Sequence, residues 1–413
     1  MPATGLFHPG RQHSWHTAAA LAEAGDLAWY ATAIYHDPHR FPYSMAARMP
    51  GSAGRRLNSF LERRATHLID PALVRHMPAA EWAELAFARL SMRRLAGLAN
   101  GIGNEVFQRA VVRLAEREPV ARLWGYDTSA LHAFRAMRAT GTTCVLDQSI
   151  AHMGGLRTQL LAQREQFGDL IRASEIPDEK EVARCTSEIA AADHVVVGSQ
   201  YASDLAVRHG GRPDAVHVCP YGYSEANFPD VHSEAPGLGT LPVRFVFVGS
   251  VSARKGFHLL TDVFSTMPPE RASLTIIGPS TLPESLLRRH LGNIAYHPAV
   301  PNERLRAYLS SAHCFVFPSL HEGGGIVLYE AAASGLGIIQ TANCGDGVRM
   351  GPLGANGVVL QEVTADSLRA AVEEVIARPA VLRDWSAASW AMRRERSWSE
   401  YRRRIVDLLP KLT

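Results

Sequence analysis

The sequence contains little of what marks a disulfide-bonded, metal-binding or membrane-spanning protein. Its five cysteines are odd in number, widely scattered and without a C-x-x-C pair, which gives no sign of zinc or redox chemistry. We expect most of them to be small buried side chains in a reducing compartment. No uncharged apolar run reaches about 18 residues, and the start MPATGLFHPGRQH lacks the basic and apolar regions of a signal peptide. These absences predict a cytoplasmic protein.

Lysine is scarce as well, since only Lys180, Lys255 and Lys411 stand among the 43 basic residues. The overall charge of +3 is too small to indicate a nucleic-acid partner. The charge is uneven, however, because 14 arginines against seven acidic residues between Arg40 and Arg122 give that segment +7. This segment has two interpretations. It forms either solvated helix faces in an arginine-rich proteome, or a surface that meets an anionic partner, which is an acceptor or the inner face of a membrane.

Short apolar runs alternate with helical spacing along the chain, which is typical of parallel α/β sheets. In the first half, strands are predicted at 4–8, 27–35, 121–127, 142–148, 194–199 and 215–220, and helices at 13–24, 128–138, 155–173, 179–191 and 201–209. In the second half, strands are predicted at 243–250, 273–279, 293–299, 313–319 and 336–341. Residues 44–118 are predicted to be a mostly helical insertion.

A chain of 413 residues exceeds what one hydrophobic core normally serves, and predicts two domains of roughly 200 residues. The segment 221–242 is rich in Gly, Pro and Ser and has the composition of an interdomain linker. It separates a domain at 1–220 from a second at 243–395, which an amphipathic helix at 396–413 follows. Two doubly wound sheets that face each other would border one cleft with the carboxyl ends of their strands.

The first motif is VFVGSVSARKGFHLL, a strand, a Gly249-Ser250 turn and a helix start at Arg254 and Lys255. The free N–H groups of a helix start favour an anion. An arginine fork beside a lysine point charge suits a diphosphate. The alternative is that Arg254 and Lys255 are a solvated basic pair beside a helix start. Only together with a second motif do they favour a binding site.

The second motif, HEGGGIVLYE, follows the apolar strand CFVFPS. If the helix begins among Gly323, Gly324 and Gly325, then Glu322 precedes it and points into the cleft, and Glu330 lies about two turns along it. The glycines leave backbone N–H groups open to oxygen ligands. Two carboxylates at separate depths suit one ligand with two polyols, such as a sugar nucleotide. The alternatives are a helix-dipole role for Glu322 and a surface position for Glu330.

The stretch from VGSVSARKG to PSLHEGGGIVLYEAAASGLGIIQT resembles the family-4 retaining glycosyltransferases. Their pattern P-S-x-x-E-G-x-G-x-x-x-x-E-A-x-A-x-G-x-x-x-I fits the sequence from Pro318 to Ile339. DHVVVGSQYASDL and CPYGYSEANF give weaker matches in the first half. The resemblance implies the GT-B fold, with two Rossmann-like doubly wound parallel-sheet domains facing across a cleft. It also implies that 396–413 packs back on the first domain, and the alternative is a membrane-surface helix.

The same resemblance implies a role for each motif. Arg254 and Lys255 would bind the donor diphosphate and stabilise charge on the leaving nucleotide. Glu322 would hold hydroxyls of the transferred sugar with help from N–H groups of the glycine triplet, and Glu330 would hold the ribose. No cofactor or metal is expected, which agrees with two cationic side chains in place of Mg²⁺ and with the lack of a suitable D-x-D motif.

Two positions depart from the family pattern. The family usually has an aromatic residue where this chain has Gly324, and a proline where it has Gly337. Without the aromatic residue we expect a more permissive loop at the sugar. Neither departure removes a charged group.

Candidates on the acceptor side follow two strands of the first half. In FHPGRQHSWHTAAALAEAG, Gly10 makes a turn where Arg11 and His13 are expected to meet an anion or a hydroxyl. A metal is disfavoured there, because arginine stands among the candidates and no carboxylate is nearby. In the family, a polar residue from this domain approaches the transferred sugar, and His152 in VLDQSIAHMGG is the candidate. The alternatives are a capping or packed His152 and a structural or solvated His13.

The motifs and the resemblance together predict a metal-independent retaining hexosyltransferase. Its donor is expected to be a nucleoside-diphosphate sugar of the GDP-mannose or UDP-glucose type, and its acceptor a glycan or lipid-linked glycan. No carboxylate nucleophile is evident on the sugar face. The family therefore favours front-face substitution, in which the leaving phosphate oxygen helps deprotonate the acceptor hydroxyl. The alternatives are a sugar-nucleotide epimerase or hydrolase of the same fold and a catalytically silent nucleotide-sugar-binding protein.

Overall fold

The computed structural model describes residues 3–10, 13–33, 35–36, 66–77, 93–228 and 231–413, and the single positions 51, 58, 61 and 64. Arg11 lies outside the described residues, as does much of the predicted insertion at 44–118 with its arginine-rich segment. The described residues form two α/β units, each built on its own parallel sheet.

Seven parallel strands form the first sheet, in the order β3-β2-β1-β4-β5-β6-β7. Their bounds are β1 Thr4–His8, β2 Leu27–Thr32, β3 Val74–His76, β4 Arg122–Tyr126, β5 Thr143–Gln148, β6 His194–Val197 and β7 Val216–Val218. The order of the strands reverses between the neighbours β1 and β4. In sheets of this kind, the loops after those two strands border the ligand-binding crevice.

Six helices of this first unit lie within the described residues. Their bounds are α1 Ser14–Glu23, α2 Arg93–Arg117, α3 Leu131–Arg138, α4 Met153–Phe167, α5 Glu179–Ala191 and α6 Gln200–Arg208. Helix α5 begins at a capping box, in which the Asp178 carboxylate accepts from the Glu181 N–H and the Glu181 side chain accepts from the Asp178 N–H. Large apolar side chains such as Trp29, Trp124 and Phe134 are fully buried between the sheet and the helices.

Six parallel strands form the second sheet, in the order β10-β9-β8-β11-β12-β15. Their bounds are β8 Val243–Val248, β9 Ala272–Ile277, β10 Ala295–His297, β11 Cys314–Phe317, β12 Gly337–Thr341 and β15 Gly357–Leu360, and β13 Met350–Gly351 pairs with β14 Gly354–Ala355 in a separate antiparallel hairpin. The helices are α7 Phe257–Phe264, α8 Glu284–Leu291, α9 Asn302–Ser311, α10 Ile326–Ala333, α11 Ala365–Ala377, α12 Val381–Met392 and α13 Trp398–Leu408.

Every strand that the sequence predicts is present, and both sheets are parallel and doubly wound as predicted. Two strands of the sheets were not predicted. Strand β3 lies in the segment assigned to a mostly helical insertion, and its three residues are too few for an alternating pattern. Strand β15 has only four residues and lies at the edge of the second sheet.

The last helix, α13, lies against α1 of the first unit. The Tyr401 and Thr17 hydroxyls are 2.8 Å apart, and Arg402 Nε lies 2.9 Å from a carboxylate oxygen of Glu23. Tyr401 and Ile405 are buried, so protein covers the apolar face of this helix. All five cysteines are free and buried, as the sequence predicted. In the described part of the chain, no helix combines the length and hydropathy needed to cross a membrane.

Candidate active site

A cleft of about 1140 Å³ lies between the carboxyl ends of the two sheets. It is lined from the first unit by His13, Trp15, His16, Asp127, Thr128, Ser149 and Ile150, from the connecting segment by Tyr221, Tyr223, Ser224 and Asn227, and from the rest of the chain by Arg254, Glu322, Gly323, Ile326, Glu330 and Trp398. A separate cavity of about 740 Å³ contains none of the predicted site residues. The cleft is therefore the candidate site.

The carboxylate of Glu322 joins the two motifs of the second unit. Its Oε1 lies 2.6 Å from Lys255 Nζ and 2.9 Å from Arg254 Nη1, and it accepts a hydrogen bond from Ser319 Oγ at 2.6 Å. Burial opposes ionisation of this carboxyl, but the Lys255 and Arg254 charges hold its pKa below the usual value. Its Oε2 has no partner among the described residues and can accept a hydrogen bond from a ligand hydroxyl.

Close backbone packing holds Arg254 and Lys255 beside Glu322. Gly256 has φ +75°, and a Cβ atom there would lie 2.1 Å from the Pro318 carbonyl oxygen. Only glycine therefore lets the loop after β8 reach the loop after β11. Burial lowers the pKa of Lys255, and Glu322 opposes that effect. The two predicted motifs form one charged unit.

The glycine triplet differs from the expectation in two ways. Helix α10 begins at Ile326, after the glycines rather than among them, so Glu330 lies little more than one turn inside it. Gly324 does not make the loop more permissive, because a Cβ atom there would lie 2.7 Å from the Tyr221 ring. The connecting segment supplies an aromatic ring directly against this glycine, which explains why a larger residue at position 324 is excluded.

Glu330 is the second carboxylate of the motif and also lines the cleft. Burial raises its pKa to about 7. Its carboxylate has no hydrogen-bond partner among the residues that the structure describes. An unpaired acceptor in a partly buried site costs folding free energy, so its presence here favours a ligand-binding role.

Gly249 and Ser250 directly follow strand β8 and precede this charged unit in the chain. A Cβ atom on Gly249 would lie 4.0 Å from Lys255 Cε, which places this glycine in van der Waals reach of the lysine stem. Neither residue lines the cleft itself. The structure thus brings Gly249 close to Lys255, and it brings neither residue to the cavity.

On the first unit, the structure brings one of the predicted histidines into the cleft. His13 lines it and pairs through Nε2 with Asp147 Oδ1 at 3.0 Å. A carboxylate is therefore near His13, contrary to the expectation, because β5 runs beside β4 and carries Asp147 inward. Gly10 turns back on His8, whose ring would lie 2.9 Å from a Cβ atom at that position. Arg11 lies outside the described residues.

His152 is not brought into the cleft. Its ring Nδ1 accepts from the Gly154 N–H at 3.1 Å and caps α4, and its Nε2 lies 3.1 Å from Thr186 Oγ1. The ring also stacks on His209 with centroids 3.7 Å apart, and burial lowers its pKa to about 4. Both ring nitrogens are engaged within the first unit, so the expected place of His152 at the sugar is corrected to a capping position.

Sequence reasoning missed several cleft residues. Asp127 ended a predicted strand and received no role, although a carboxylate directly after a parallel strand is a signal that could have been used. Trp398 lies in the helix that was expected to pack on the first domain, but it received no role in the site; it stacks on His16 of α1 with ring centroids 4.1 Å apart and lines the cleft. Within the described residues, no group of three or more His, Cys, Asp or Glu side chains is arranged to hold a metal ion.

Residues 232–390 match the family model described as Glycosyl transferases group 1. No curated protein matched the sequence significantly. Among solved structures, the chain resembles sucrose-phosphate synthase from Thermosynechococcus elongatus, with a TM-score of 0.65 and 17% identity over 99% of this chain and 98% of that one. It also resembles HepE from Anabaena in complex with UDP-glucose, with a TM-score of 0.59 and 13% identity over 99% of each chain.

A third similar structure is WaaG, a glycosyltransferase involved in lipopolysaccharide biosynthesis, with a TM-score of 0.59 and 13% identity over 98% of this chain and 99% of that one. These similarities confirm the predicted GT-B fold. The resemblance that the motifs indicated is confirmed at the level of a glycosyl transferases group 1 domain.

Proposed function

We propose that the chain is a retaining, metal-independent hexosyltransferase that uses a nucleoside-diphosphate sugar. The observation that carries the proposal is the Glu322 carboxylate, whose Oε1 is fixed by Lys255, Arg254 and Ser319 while Oε2 has no partner among the described residues. This unit lies in a glycosyl transferases group 1 domain, at the carboxyl ends of two facing sheets.

In this proposal the donor lies along the second unit. Arg254 and Lys255 bind the diphosphate, and Oε2 of Glu322 accepts a hydrogen bond from a hydroxyl of the sugar. The N–H groups near Gly323 add donors for oxygen ligands, and Glu330 accepts hydrogen bonds from the ribose. HepE has been solved with UDP-glucose, which supports a donor of this class.

The reaction begins with the donor held so that the acceptor hydroxyl meets the anomeric carbon from the side of the leaving group. The acceptor oxygen bonds to that carbon, the bond to the phosphate oxygen breaks, and the phosphate oxygen takes the hydroxyl proton. Arg254 and Lys255 stabilise the negative charge that develops on the diphosphate, and a buried cation is effective there because little water screens it.

The acceptor that we propose is a glycan or lipid-linked glycan in polysaccharide or glycolipid assembly. WaaG is involved in lipopolysaccharide biosynthesis, which supports this class. We propose that the chain acts in the cytoplasm or on the inner face of the membrane, and its five free cysteines agree with a reducing compartment.

The test incubates the full chain with UDP-glucose, GDP-mannose or ADP-glucose, with and without methyl glycosides, and follows nucleotide release and the product anomer by proton NMR. A retaining hexosyltransferase forms a glycoside that keeps the α configuration of the donor sugar. Inverted configuration at the earliest time points would contradict retention. Free sugar alone, at the same rate with and without glycoside, would instead indicate a hydrolase.

A further inference from the structure

The turn after strand β4 contains a strained residue. Thr128 has φ +71° and is the single non-glycine residue with positive φ in the described part of the chain. A β-branched side chain disfavours this conformation, which costs about 1–3 kcal/mol and persists only where surrounding contacts impose it. The turn lies beside β1, where the strand order of the first sheet reverses. Strain at such a point indicates a constrained position for a neighbouring side chain.

A buried carboxylate maintains this turn. Glu188 accepts hydrogen bonds from the Thr128 N–H at 3.0 Å and the Ala130 N–H at 3.4 Å. It is only 1% exposed, and burial raises its pKa to about 7. Glu188 thus supports the turn from outside it, and Asp127, the acidic residue next to the turn, lines the cleft.

The two carboxylate oxygens of Asp127 differ in their hydrogen bonds. Its Oδ1 accepts hydrogen bonds from Ser149 Oγ at 2.6 Å and Ser149 N at 3.3 Å. Its Oδ2 has no partner among the described residues, although the residue is only 7% exposed. No arginine or lysine pairs with it in the described part of the chain, so this carboxylate is not explained by a structural ion pair.

The position of Asp127 relative to the donor site follows from Ser149. A Cβ atom on Gly323 would lie 1.9 Å from the Ser149 carbonyl oxygen, so Ser149 lies directly against the loop that carries Glu322. Ser149 therefore connects Asp127 of the first unit to the loop of Gly323 and Glu322 in the second unit. Asp127 faces the cleft next to the proposed sugar site. In the proposed function, the acceptor approaches the transferred sugar from this side.

We propose that Asp127 binds the acceptor, with its Oδ2 accepting a hydrogen bond from the attacking hydroxyl. This inference rests on the proposed function, and it names the acceptor's reacting end as an uncharged hydroxyl. A free carboxylate without a cationic neighbour attracts a hydroxyl and repels a phosphate. The proton still leaves with the phosphate oxygen, and Asp127 orients the oxygen that attacks.

The protonation state of Asp127 supports this role. Burial raises its pKa to about 6, and Ser149 opposes that effect. The titratable groups that face it from neighbouring elements are His13, Asp147, Tyr221, Cys185 and Glu188. Because burial raises the pKa of Asp127 from 3.8 to about 6 in the folded state, stability is lost as pH rises through that range, while only the ionised form accepts hydrogen bonds at both oxygens.

The test compares the wild-type chain with Asp127→Asn, and uses Asp178→Asn as a matched control. Asp178 caps α5 on the surface, and asparagine caps a helix equally well. The donor is whichever of UDP-glucose, GDP-mannose and ADP-glucose stabilises the chain most. The acceptors are methyl glucoside, galactoside and mannoside. The readouts are melting temperature, donor-induced thermal shift, and nucleotide release from pH 5 to 8.

We expect Asp127→Asn to slow glycoside-dependent nucleotide release at pH 7.5 by at least tenfold, with the donor-induced shift unchanged and the melting temperature equal or higher. Ser149→Ala should show a smaller effect of the same kind. At saturating donor the wild-type rate should fall as pH drops below about 6, and the pH profile of Asp127→Asn should be flatter, because the part of the fall that comes from Asp127 is removed.

Equal nucleotide release by Asp127→Asn and wild type, with donor bound to both, would overturn this proposal and leave the proposed function standing. A weaker donor-induced shift in Asp127→Asn would also overturn it, since the residue would then belong to the donor site. Absence of a thermal shift with all three donors in the wild-type chain would overturn the proposed function itself.

Discussion

A single carboxylate oxygen of Glu322 joins the charged residues of the second unit. Three donors converge on Oε1, and two of them are the cations of the other motif. Such a carboxylate keeps Arg254 and Lys255 in place before any ligand binds, which is the preorganisation that electrostatic stabilisation requires. The individual residues therefore act as a unit, and removal of one should disturb the others.

Lys255→Ala tests the proposed diphosphate site. We expect turnover to fall about 100-fold, because a preorganised charge at the leaving group is lost, and donor affinity to fall as well. The control is Lys180→Ala, which removes an exposed lysine from the first unit. The measurement is steady-state nucleotide release together with calorimetric donor binding. Unchanged turnover in Lys255→Ala would remove this residue from the site.

Glu330→Gln tests the second carboxylate by its effect on stability and binding. Burial raises the pKa of Glu330 to about 7, so its ionised form destabilises the fold increasingly as pH rises from about 4.5 to 7. Glutamine should therefore stabilise the chain by about 1–3 kcal/mol at pH 8 and by less at pH 5. Nucleotide affinity at pH 8 should fall about tenfold, since one charged hydrogen bond to the ribose is lost.

Melting temperatures and calorimetric titrations with the nucleoside diphosphates at pH 5 and 8 check this prediction. Glu374→Gln serves as the control, because Glu374 is exposed on α11 and far from the motif in sequence. An equal change in melting temperature at both pH values would contradict the assignment of a raised pKa.

The sequence predicted the charged residues of the second unit's site, but it did not predict the hydrogen-bond partners that decide where other candidates lie. Glu322, Arg254 and Lys255 were predicted to act together, and they are in contact. His152 was misplaced because the sequence does not show that Thr186 and Gly154 occupy both of its ring nitrogens. Asp127 was missed although it directly follows a predicted strand; the strained turn at Thr128 beside it leaves no pattern in the residue types.

Two glycines of the triplet before helix α10 are required for different structural reasons. At Gly325 the chain adopts φ +54° directly before α10, and at Gly323 it passes against Ser149 of the other unit. These are two different requirements, one for backbone conformation and one for space. A substitution can therefore separate local strain from the contact between the units.

Gly323→Ala should lower activity more than stability. An alanine Cβ atom would lie 1.9 Å from the Ser149 carbonyl oxygen, so the loops of the two units must separate. We expect nucleotide release to fall at least tenfold, because the donor and acceptor sides no longer meet in the required geometry. The measurement combines activity with thermal unfolding.

The control for this variant is Gly25→Ala. Gly25 has φ +67°, and a Cβ atom there would meet nothing within 4 Å. This change should cost about 1 kcal/mol of stability through the backbone alone and leave activity unchanged. If Gly323→Ala shows the same pattern as Gly25→Ala, the contact with Ser149 has no functional role.

At the scale of elements, apolar runs were enough to predict the long buried strands. Strands β8, β11 and β12 lie inside the second sheet, and most of their residues are apolar. The short edge strands β3 and β15 depend on a partner strand rather than on their own pattern. Their three and four residues carry too little periodicity to be predicted.

A buried histidine joins the two units. His321 of the second unit lies between the Tyr201 hydroxyl at 2.9 Å and the Ala151 carbonyl oxygen at 2.7 Å, both in the first unit. The residue is fully buried, and burial lowers its pKa to about 4. A protonated ring could not accept the tyrosine hydrogen bond, so acid should weaken this contact.

His321→Asn tests this contact through its pH dependence. The pKa of the folded state is depressed below the usual 6.5, so stability is fully present above pH 6.5 and is lost as pH falls toward 4. We expect wild type to lose about 1 kcal/mol from this group at pH 5.5, and the variant to lack that part of the change. The measurement is the difference in melting temperature between pH 7.5 and 5.5.

His132→Asn is the matched control, because His132 is exposed at the start of α3. Other buried histidines contribute equally to both variants and cancel in the comparison. If the pH difference of His321→Asn equals that of His132→Asn, this histidine has no part in the pH dependence of the contact between the units.

The central claim is that one nucleotide sugar lies along the cleft, with its sugar at Glu322 and its diphosphate at Arg254 and Lys255. Calorimetric titration of wild type and Glu322→Gln with UDP-glucose, GDP-mannose, ADP-glucose and the matching nucleoside diphosphates tests it most directly. We predict that one sugar nucleotide binds wild type more tightly than its nucleoside diphosphate does, and that Glu322→Gln loses this difference. Absence of binding by every ligand, or an unchanged difference in the variant, would contradict the claim.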